Sequence, residues 1–363
     1  MRIPVLSGSS RRRLSMAALV VVTGVLVAMT QPLRTSTPSS PKGAAKPVNR
    51  FGLSEPLPRT SGAVRLAAYN LLNFFDQVDD PTLSGEFDDL PMATPVARCE
   101  TLAEAIRTVN ADIIALEEVE SDVALRWLRD TYLRDMGYTH LASLDAGYYR
   151  GVEQSVLSRY EIVEAKVWPN LSITDVRRAG DGWQDVPADK RSSLTFQRSP
   201  LMVTIRVRPD YLLTLFVVHH KAGGSSLKYH REAEALKIVE IARAVMREDP
   251  ARNVAILGDF NAAPWDKSMR VYLEAGFVDT LAHRTTWKDD PEMPLFKTHE
   301  SDRVLDYILL NSAAYREFVP GSAHVYGTLA PPPSYDYRTD PQPEGYASDH
   351  YPVIIELMPH DLK

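Results

Sequence analysis

The sequence predicts an α/β fold in which each sheet packs against another sheet on one face and against helices on the other. Between residues 64 and 357, short β-like runs are interleaved with fewer helices. Many of these runs are apolar at nearly every position, as strands are when both of their faces are buried. With 363 residues, 44% of them hydrophobic, the chain is long enough to enclose a large core.

The predicted strands are short runs with strand-like composition. In chain order they are VRLAAYN (64–70), DIIALEE (112–118), QSVLS (154–158), IVEAKVW (162–168), LMVTIRV (201–207), LLTLFVVHH (212–220), NVAILGD (253–259), VLDYILLN (304–311) and YPVIIEL (351–357). The predicted helices are amphipathic. One has Thr94 as N-cap and Pro95 at its first position, another runs from Ser121 or Asp122 to Gly137, and a long one lies within 225–249.

The first thirty residues have the layout of an export signal. Three arginines at 11–13 precede an apolar run at 14–29, which is shorter than the roughly 20 residues of a bilayer span. The cleavage site at 28–30 is imperfect, so a membrane anchor through residues 14–29 is an alternative. Residues 31–62 contain six prolines and predict a disordered linker before a folded domain at 63–358. We expect an exported protein, either periplasmic, secreted or anchored and facing outward.

Charge and cysteine content restrict the chemistry. Residues 1–30 carry four arginines and no acids, so without them the formal net charge becomes −6 − 4 = −10. Such an acidic domain does not hold polyanions by bulk electrostatics, so a phosphate-bearing substrate needs a metal ion beside it. The single cysteine, Cys99, excludes an internal disulfide and a cysteine-based zinc site.

Polar side chains able to bind metal or phosphate recur at or beside the strands. They are Asn70, Glu118, His219 with His220, Asp259 with Asn261, Asp306, and Asp349 with His350. Each by itself is better explained as a cap or a loop residue. Their repetition along one chain indicates a shared site at one edge of the sheets.

The motifs around these residues resemble the endonuclease/exonuclease/phosphatase superfamily, which includes pancreatic deoxyribonuclease and neutral sphingomyelinases. The matching stretches, in the family's order, are YNLLNF, DIIALEEVE, VVHHK, LGDFNAAP, LDYILL and SDHYPV. The resemblance implies a four-layer sandwich of two packed mixed β-sheets flanked by helices, as in deoxyribonuclease I. It also implies a metal-dependent phosphoesterase site where strand ends converge at one edge.

The resemblance assigns metal ligands. Glu118 would be the principal ligand of Mg²⁺, with Asn70 and Asp349 nearby and Mn²⁺ or Ca²⁺ as alternative ions, since hard cations prefer oxygen ligands. Glu117 stands where relatives commonly have Gln. It would either shift the metal preference or serve only to fix Glu118.

The resemblance also assigns catalytic roles. Asp259 would orient or deprotonate the attacking water, or bind a second ion, and Asn261 would donate to a phosphoryl oxygen. His350 would contact the phosphate while Asp306 holds its ring. His220 would be a second phosphate-contacting histidine, with Glu153 as its carboxylate partner.

Further residues are predicted to bind substrate. Arg198 matches a phosphate-binding arginine of deoxyribonuclease-like members, and Lys221 adds a cation beside Gly223 and Gly224. His219 falls where many relatives have Asn and would touch the substrate or stand behind the site. For the two basic residues, a solvated position at a strand end is the competing interpretation.

The substrate is the least determined property. Tyr307 stands where inositol polyphosphate 5-phosphatases have arginine, and an exported acidic domain is unlike the apurinic endonucleases. Two enzyme functions remain: a monomeric nuclease acting on DNA, or a phosphodiesterase of lipid head groups or small phosphate esters. Three tyrosines, at 335, 337 and 346, would line a rim or stack on bases. A catalytically silent binding domain is the third alternative, which the full set of acidic residues disfavours.

Overall fold

A computed structural model describes residues 51–81, 90–176, 186–190, 192–282, 292–329 and 343–360. The leader, the linker up to residue 50, and Tyr335 and Tyr337 lie outside these residues. Among the residues described, no helix combines the length and the apolar character needed to cross a bilayer.

Two six-stranded mixed sheets form the centre of the fold. The strands of the first sheet, in spatial order, are β11 (His324–Val325), β12 (Val353–Leu357), β1 (Val64–Phe74), β2 (Ile113–Val119), β4 (Glu153–Ser158) and β3 (His140–Ser143). Those of the second are β5 (Glu161–Lys166), β6 (Leu201–Arg208), β7 (Tyr211–His219), β8 (Asn253–Asp259), β10 (Asp306–Leu310) and β9 (Val278–Asp279).

The two sheets repeat one arrangement. Each contains a single parallel pair, β1 with β2 in the first sheet and β7 with β8 in the second. All other neighbours within the sheets are antiparallel. Because all four strands of the parallel pairs carry polar groups at their ends, the repeat brings two sets of such groups to the edge of the sandwich.

Five α-helices accompany the described strands: α1 (Val96–Val109), α2 (Asp122–Tyr132), α3 (Lys228–Glu248), α4 (Lys267–Glu274) and α5 (Ser312–Arg316). The Ser121 hydroxyl caps α2 by accepting the Ala124 N–H at 3.1 Å. Pro95, rather than Thr94, is the N-cap of α1. Thr94 instead accepts the Phe75 N–H, and the helix ends at Asn110 in the left-handed conformation.

The core has three apolar layers, which confirms the predicted four-layer sandwich. Alternate residues such as Leu66 and Ala68 of β1 and Leu215 and Val217 of β7 meet between the sheets. The opposite face of the first sheet packs against α1 and α2, and that of the second packs against α3 and α4. Strands with two buried faces explain why the runs were apolar throughout.

Residues 51–62 pack along the first sheet, although the sequence predicted linker there. Phe51 is buried edge-on against Tyr351, and Leu53 bridges to Tyr326. Thr60 donates its N–H to Glu356 at 2.9 Å. The ordered part of the domain therefore includes residue 51, twelve residues before the predicted start at 63.

Candidate active site

Strand direction explains why the polar groups gather at one edge. β7 and β8 run parallel and place His219 opposite Asp259, while antiparallel β10 begins at Asp306, also opposite Asp259. In the first sheet, Asn70 of β1 lies opposite Glu117 of β2. Antiparallel β12 starts just after His350, so the residues that precede it reach the same edge.

Asp259 lies at the centre of the cluster with 2% of its surface exposed. Its Oδ1 accepts the Asn261 N–H at 2.7 Å, and its Oδ2 accepts the amide groups of Asn261 at 3.0 Å and Asn70 at 3.3 Å. Burial, together with the nearby Asp306 carboxylate, raises the pKa of Asp259 to about 7. A carboxyl group with this pKa is suited to exchange a proton with water near neutral pH.

His350 is held by Asp306, as predicted for a phosphate-contacting histidine. Its Nδ1 lies 2.9 and 3.0 Å from the two Asp306 oxygens, and its Nε2 lies 3.8 Å from Oδ2 of Asp259. Burial disfavours the imidazolium, but the Asp306 and Asp259 carboxylates outweigh it and raise the pKa of His350 well above its ordinary value. These two carboxylates favour the imidazolium form of the ring, whose Nε2 faces Asp259.

The structure exchanges the positions expected for the two adjacent histidines. Successive strand residues point to opposite faces, and His219 follows Leu215 and Val217 toward the space between the sheets. Its Nε2 lies 3.4 Å from Oδ2 of Asp259 and 3.6 Å from Oε1 of Glu118.

His220 points instead toward the outer helices. Its Nδ1 lies 3.1 Å from Oε2 of Glu234 in α3, and its Nε2 lies 2.8 Å from the Tyr272 hydroxyl in α4. Both ring nitrogens are used there, so the side chain has none left for a substrate. The predicted phosphate contact of His220 is thereby corrected, and His219 occupies the place expected for it.

Glu153, predicted as the partner of His220, lies apart from both histidines. Its Oε2 accepts the Ala146 N–H at 3.0 Å, and within the described residues no hydrogen bond or ion pair joins it to His219 or His220. Burial raises the pKa of Glu153 to about 8. The pairing predicted for Glu153 is therefore corrected as well.

Arg198, predicted to bind substrate, lies beside the cluster. It is 5% exposed, its Nη1 donates to the His220 carbonyl at 3.2 Å, and its Nε has no partner among the described residues. Lys221 is half-buried and donates its backbone N–H to Glu234, so its backbone faces α3.

Asn261 also donates to the His220 carbonyl, at 3.1 Å, which fixes its side chain between that carbonyl and Asp259.

The carboxylates fit a hard divalent cation. Glu118 is partly exposed and accepts the Asn73 N–H at 2.8 Å on Oε2. Oδ1 of Asp349 is buried and has no hydrogen-bond partner within the described part of the chain, and Nε2 of His350 lies 3.9 Å from it. Oδ1 of Asn70 accepts one N–H, from Leu72 at 2.9 Å, which leaves a lone pair for an ion. Oxygen donors with spare lone pairs are the ligands that Mg²⁺, Mn²⁺ and Ca²⁺ prefer.

Glu117 points into the protein rather than toward the edge. It is fully buried, and neither carboxyl oxygen has a hydrogen-bond partner among the residues described. Gly258 makes room for it: with φ +124°, a Cβ there would lie 2.6 Å from Oε1 of Glu117 and 2.3 Å from the Val218 carbonyl. Burial, with Asp306 and Asp259 nearby, raises the pKa of Glu117 well above its ordinary value.

Two site residues were missed in the sequence. His299 bridges to His350, and its Nε2 lies 3.4 Å from Oδ2 of Asp349, so that one ligand atom from each of these three residues lies within 4.8 Å of the others. Buried Arg98 donates from Nε to the Ala347 carbonyl at 2.8 Å and from Nη2 to the carbonyls of Leu71 and Leu72.

Arg98 thus joins the backbone that follows Asn70 to the backbone two residues before Asp349. The sequence does mark Arg98, because its spacing places this charged residue on the same helix face as the apolar positions 102, 106 and 109. His299 had no such signal, because it lies in a loop.

Comparisons with known proteins identify the family and the fold. The model of the Endonuclease/Exonuclease/phosphatase family matches residues 68–350. An endonuclease/exonuclease/phosphatase from Beutenbergia cavernae DSM 12333 is 18% identical over 81% of this chain and 71% of that chain, with a TM-score of 0.51.

Two further solved structures are similar at lower scores. The human Nocturnin catalytic domain with bound sulfate anion is 14% identical, covers 82% of this chain and 94% of that chain, and has a TM-score of 0.49. The 3′ phosphatase NExo from Neisseria bound to product DNA hairpin is 16% identical, with coverages of 81% and 99% and a TM-score of 0.48. At these identities the likeness is one of fold. A comparison with curated protein sequences gives no match.

Proposed function

Because the chain belongs to the Endonuclease/Exonuclease/phosphatase family, we propose that it is an exported, divalent-metal-dependent enzyme that hydrolyses the phosphodiester bonds of DNA. The members of this family are phosphoric ester hydrolases, and so is this chain. Family membership does not specify the substrate, the ion or the location. We propose DNA as the substrate, a divalent cation such as Mg²⁺ as the ion, and export through the leader.

One observation carries the proposal: Asp259 and the His350–Asp306 pair face each other across a short gap. Oδ2 of Asp259 lies 3.8 Å from Nε2 of His350 and 3.4 Å from Nε2 of His219. In this geometry Asp259 accepts the proton of the attacking water, and the two Nε2 atoms face the phosphoryl oxygens. Asp306 keeps His350 in the orientation that points its Nε2 into the gap.

The residues that would hold the metal ion are Glu118, Asp349 and Asn70. When bound there, the ion supplies positive charge that offsets the charge developing on the phosphoryl group. His299 would orient Asp349 through the 3.4 Å contact. Both Nδ2 hydrogens of Asn261 are used, one by Asp259 and one by the His220 carbonyl, so we assign Asn261 the positioning of Asp259. The predicted contact with a phosphoryl oxygen requires that one of these two bonds be exchanged for it.

The choice of DNA over a lipid is supported by the charge near the site. The buried Nε of Arg198 has no hydrogen-bond partner among the described residues and suits an oxygen of a second phosphate. DNA has further phosphates beside the cleaved bond, whereas sphingomyelin has only one. Export is supported by the arginines and apolar run of the leader. Tyr346, one of the rim tyrosines expected to contact substrate, is buried.

Hydrolysis of bis-p-nitrophenyl phosphate by the purified protein with Mg²⁺, with Mn²⁺ and with EDTA tests the reaction class. Plasmid nicking compared with sphingomyelin cleavage tests the substrate. We expect metal-dependent hydrolysis and nicking, both lost in Asp259→Asn. A matched control is Asp210→Asn, because Asp210 lies in the exposed β6–β7 turn at the opposite end of the second sheet. Sphingomyelin cleavage without nicking would replace DNA by a lipid, and full activity of Asp259→Asn would remove the assigned site.

A further inference from the structure

The loop between β3 and β4 carries the sequence GYYRG at 147–151 and lies against the candidate active site. Gly147 and Gly151 have φ values of 70° and 60°, a region that favours glycine. The Gly151 N–H donates to the Tyr148 carbonyl at 2.9 Å and closes the turn. The three side chains between the glycines are therefore displayed by a defined turn.

The loop contacts both sides of the site. On one side, the Tyr148 hydroxyl lies 3.3 Å from Nη2 of Arg198, whose guanidinium carbon lies 4.7 Å from the centre of the Tyr148 ring. Nη1 of the same arginine donates to the His220 carbonyl, which also accepts the Asn261 amide.

On the other side, Nη2 of Arg150 donates to Oδ1 of Asn73 at 2.8 Å. The backbone N–H of Asn73 in turn donates to Glu118 at 2.8 Å. Because Glu118 is a proposed metal ligand and Asn261 braces Asp259, the loop is connected through Asn73 and Arg198 to both sides of the reacting centre.

The loop brings together groups that suit one nucleotide. Arg150 is held at Asn73 and Arg198 at the His220 carbonyl, so both guanidinium groups lie beside the candidate active site. The buried Nε of Arg198 has no partner in the described residues, so a donor remains for a phosphate oxygen. Tyr149 is 56% exposed, with its ring packed edge-on to Tyr148 at a centroid distance of 4.7 Å.

The acidic character of the domain decides which form of DNA this arrangement fits. Binding a duplex through its backbone needs many phosphate contacts from a basic surface, and the net charge without the leader is −10. A few local contacts suffice when an aromatic ring stacks on a base, and in a duplex the π-faces of the bases are already stacked. An exposed tyrosine beside two arginines therefore suits an unpaired base with its own phosphate.

We propose that residues 147–151 form a subsite for the nucleotide next to the cleaved bond, in which Arg150 and Arg198 bind its phosphate and Tyr149 stacks on its unpaired base. The enzyme then prefers single-stranded DNA to duplex DNA. This inference rests on the proposed function, because it concerns the same reacting centre.

The test compares kcat/KM for single-stranded dT12, for the dT12·dA12 duplex and for bis-p-nitrophenyl phosphate, which has neither base nor second phosphate. We expect wild-type protein to favour dT12 over the duplex, and Tyr149→Ala and Arg150→Ala each to lower the dT12 to bis-p-nitrophenyl phosphate ratio about tenfold. Tyr149→Phe should keep the wild-type ratio, because stacking needs only the ring. Binding of fluorescently labelled dT12 is measured by anisotropy in EDTA, with the inactive Asp259→Asn protein. Adding Tyr149→Ala to that protein should raise the dissociation constant for dT12.

Matched controls lie at the far end of the sandwich. Tyr315→Ala removes an exposed tyrosine after β10, and Arg206→Ala removes an exposed arginine near the end of β6. Both should keep the wild-type ratio. A preference for duplex, or unchanged ratios and binding in Tyr149→Ala and Arg150→Ala, would overturn the subsite while leaving the phosphodiesterase assignment intact. A wild-type protein that cleaves none of the three substrates would overturn the proposed function itself.

Discussion

His219 Nε2 lies 3.4 Å from Oδ2 of Asp259, and Nε2 of His350 lies 3.8 Å from the same oxygen. His219→Ala should therefore lower kcat/KM by roughly 10²-fold, as expected when one donor to a phosphoryl oxygen is lost. His219→Ala should lower the free energy of unfolding less than His220→Ala does, because the His219 ring has no hydrogen bond on Nδ1 among the described residues.

The neighbouring histidine should behave in the opposite way. His220→Ala removes the partner of Glu234 and Tyr272 in a buried network, so we expect a loss of about 2 kcal/mol in the free energy of unfolding. Urea unfolding and kcat/KM, both measured for each of the two variants, test these two predictions. A larger loss of activity in folded His220→Ala than in His219→Ala would restore the role predicted from the sequence.

Asp306→Asn keeps the shape of the side chain that holds His350 but removes its charge. Since Asp306 is the main group that raises the pKa of His350 against the effect of burial, that pKa should fall. We expect kcat to drop roughly 10³-fold, as for other carboxylates that orient a catalytic histidine. NMR titration of the imidazole in metal-free protein measures the first effect. An unchanged histidine titration would contradict the assigned pairing.

Arg98→Lys should weaken metal binding without removing a ligand. The guanidinium fork reaches the Ala347 and Leu72 carbonyls at 2.8 and 2.7 Å, and an ammonium group does not span both in the same geometry. We expect the Mn²⁺ dissociation constant to rise about 10- to 100-fold in isothermal titration calorimetry. Arg107→Lys, on the partly exposed side of the same helix, is the control. Equal affinity in the Arg98 variant would show that the two backbone segments are held by other contacts.

The adjacent glutamates should separate into a ligand and a buried group. Glu118→Gln should raise the Mg²⁺ concentration needed for half-maximal activity by roughly 10- to 100-fold. Glu117→Gln should instead raise the melting temperature at pH 8 in EDTA, because burial and two nearby carboxylates raise the pKa of Glu117 and make its ionised form costly. If Glu117→Gln raised the metal requirement more, the two roles would be exchanged.

Glu153 should make stability depend on pH. Its folded-state pKa, about 8, lies above the ordinary value of 4.5, so the native state binds more protons than the unfolded state between these values. This contribution to stability is present below pH 4.5 and is lost as the pH rises toward 8. Glu153→Gln should therefore raise the melting temperature relative to wild type by at least ~2 °C at pH 8.5 and change it less at pH 5. Scanning calorimetry at both pH values measures these differences in melting temperature. An equal difference at pH 5 and pH 8.5 would exclude titration of Glu153 as the cause.

The sequence by itself determined the layered α/β fold and the polar groups at the strand ends. Both follow from local signals, since apolar runs of strand length and the side chains that end them are adjacent in the chain. For the two glutamates the family resemblance already assigned Glu118 to the site, and for the two histidines only the tertiary structure decided which one faces it.

His219 and His220, like Glu117 and Glu118, end strands that are buried on both faces. The alternation of side chains was therefore visible, but nothing in the pattern marked which face lies between the sheets. Arg98, His299 and the loop at 147–151 come from a helix and from loops, and their distances to the cluster are set by packing between segments far apart in the chain. Long-range packing, which a single sequence does not record, placed them at the site.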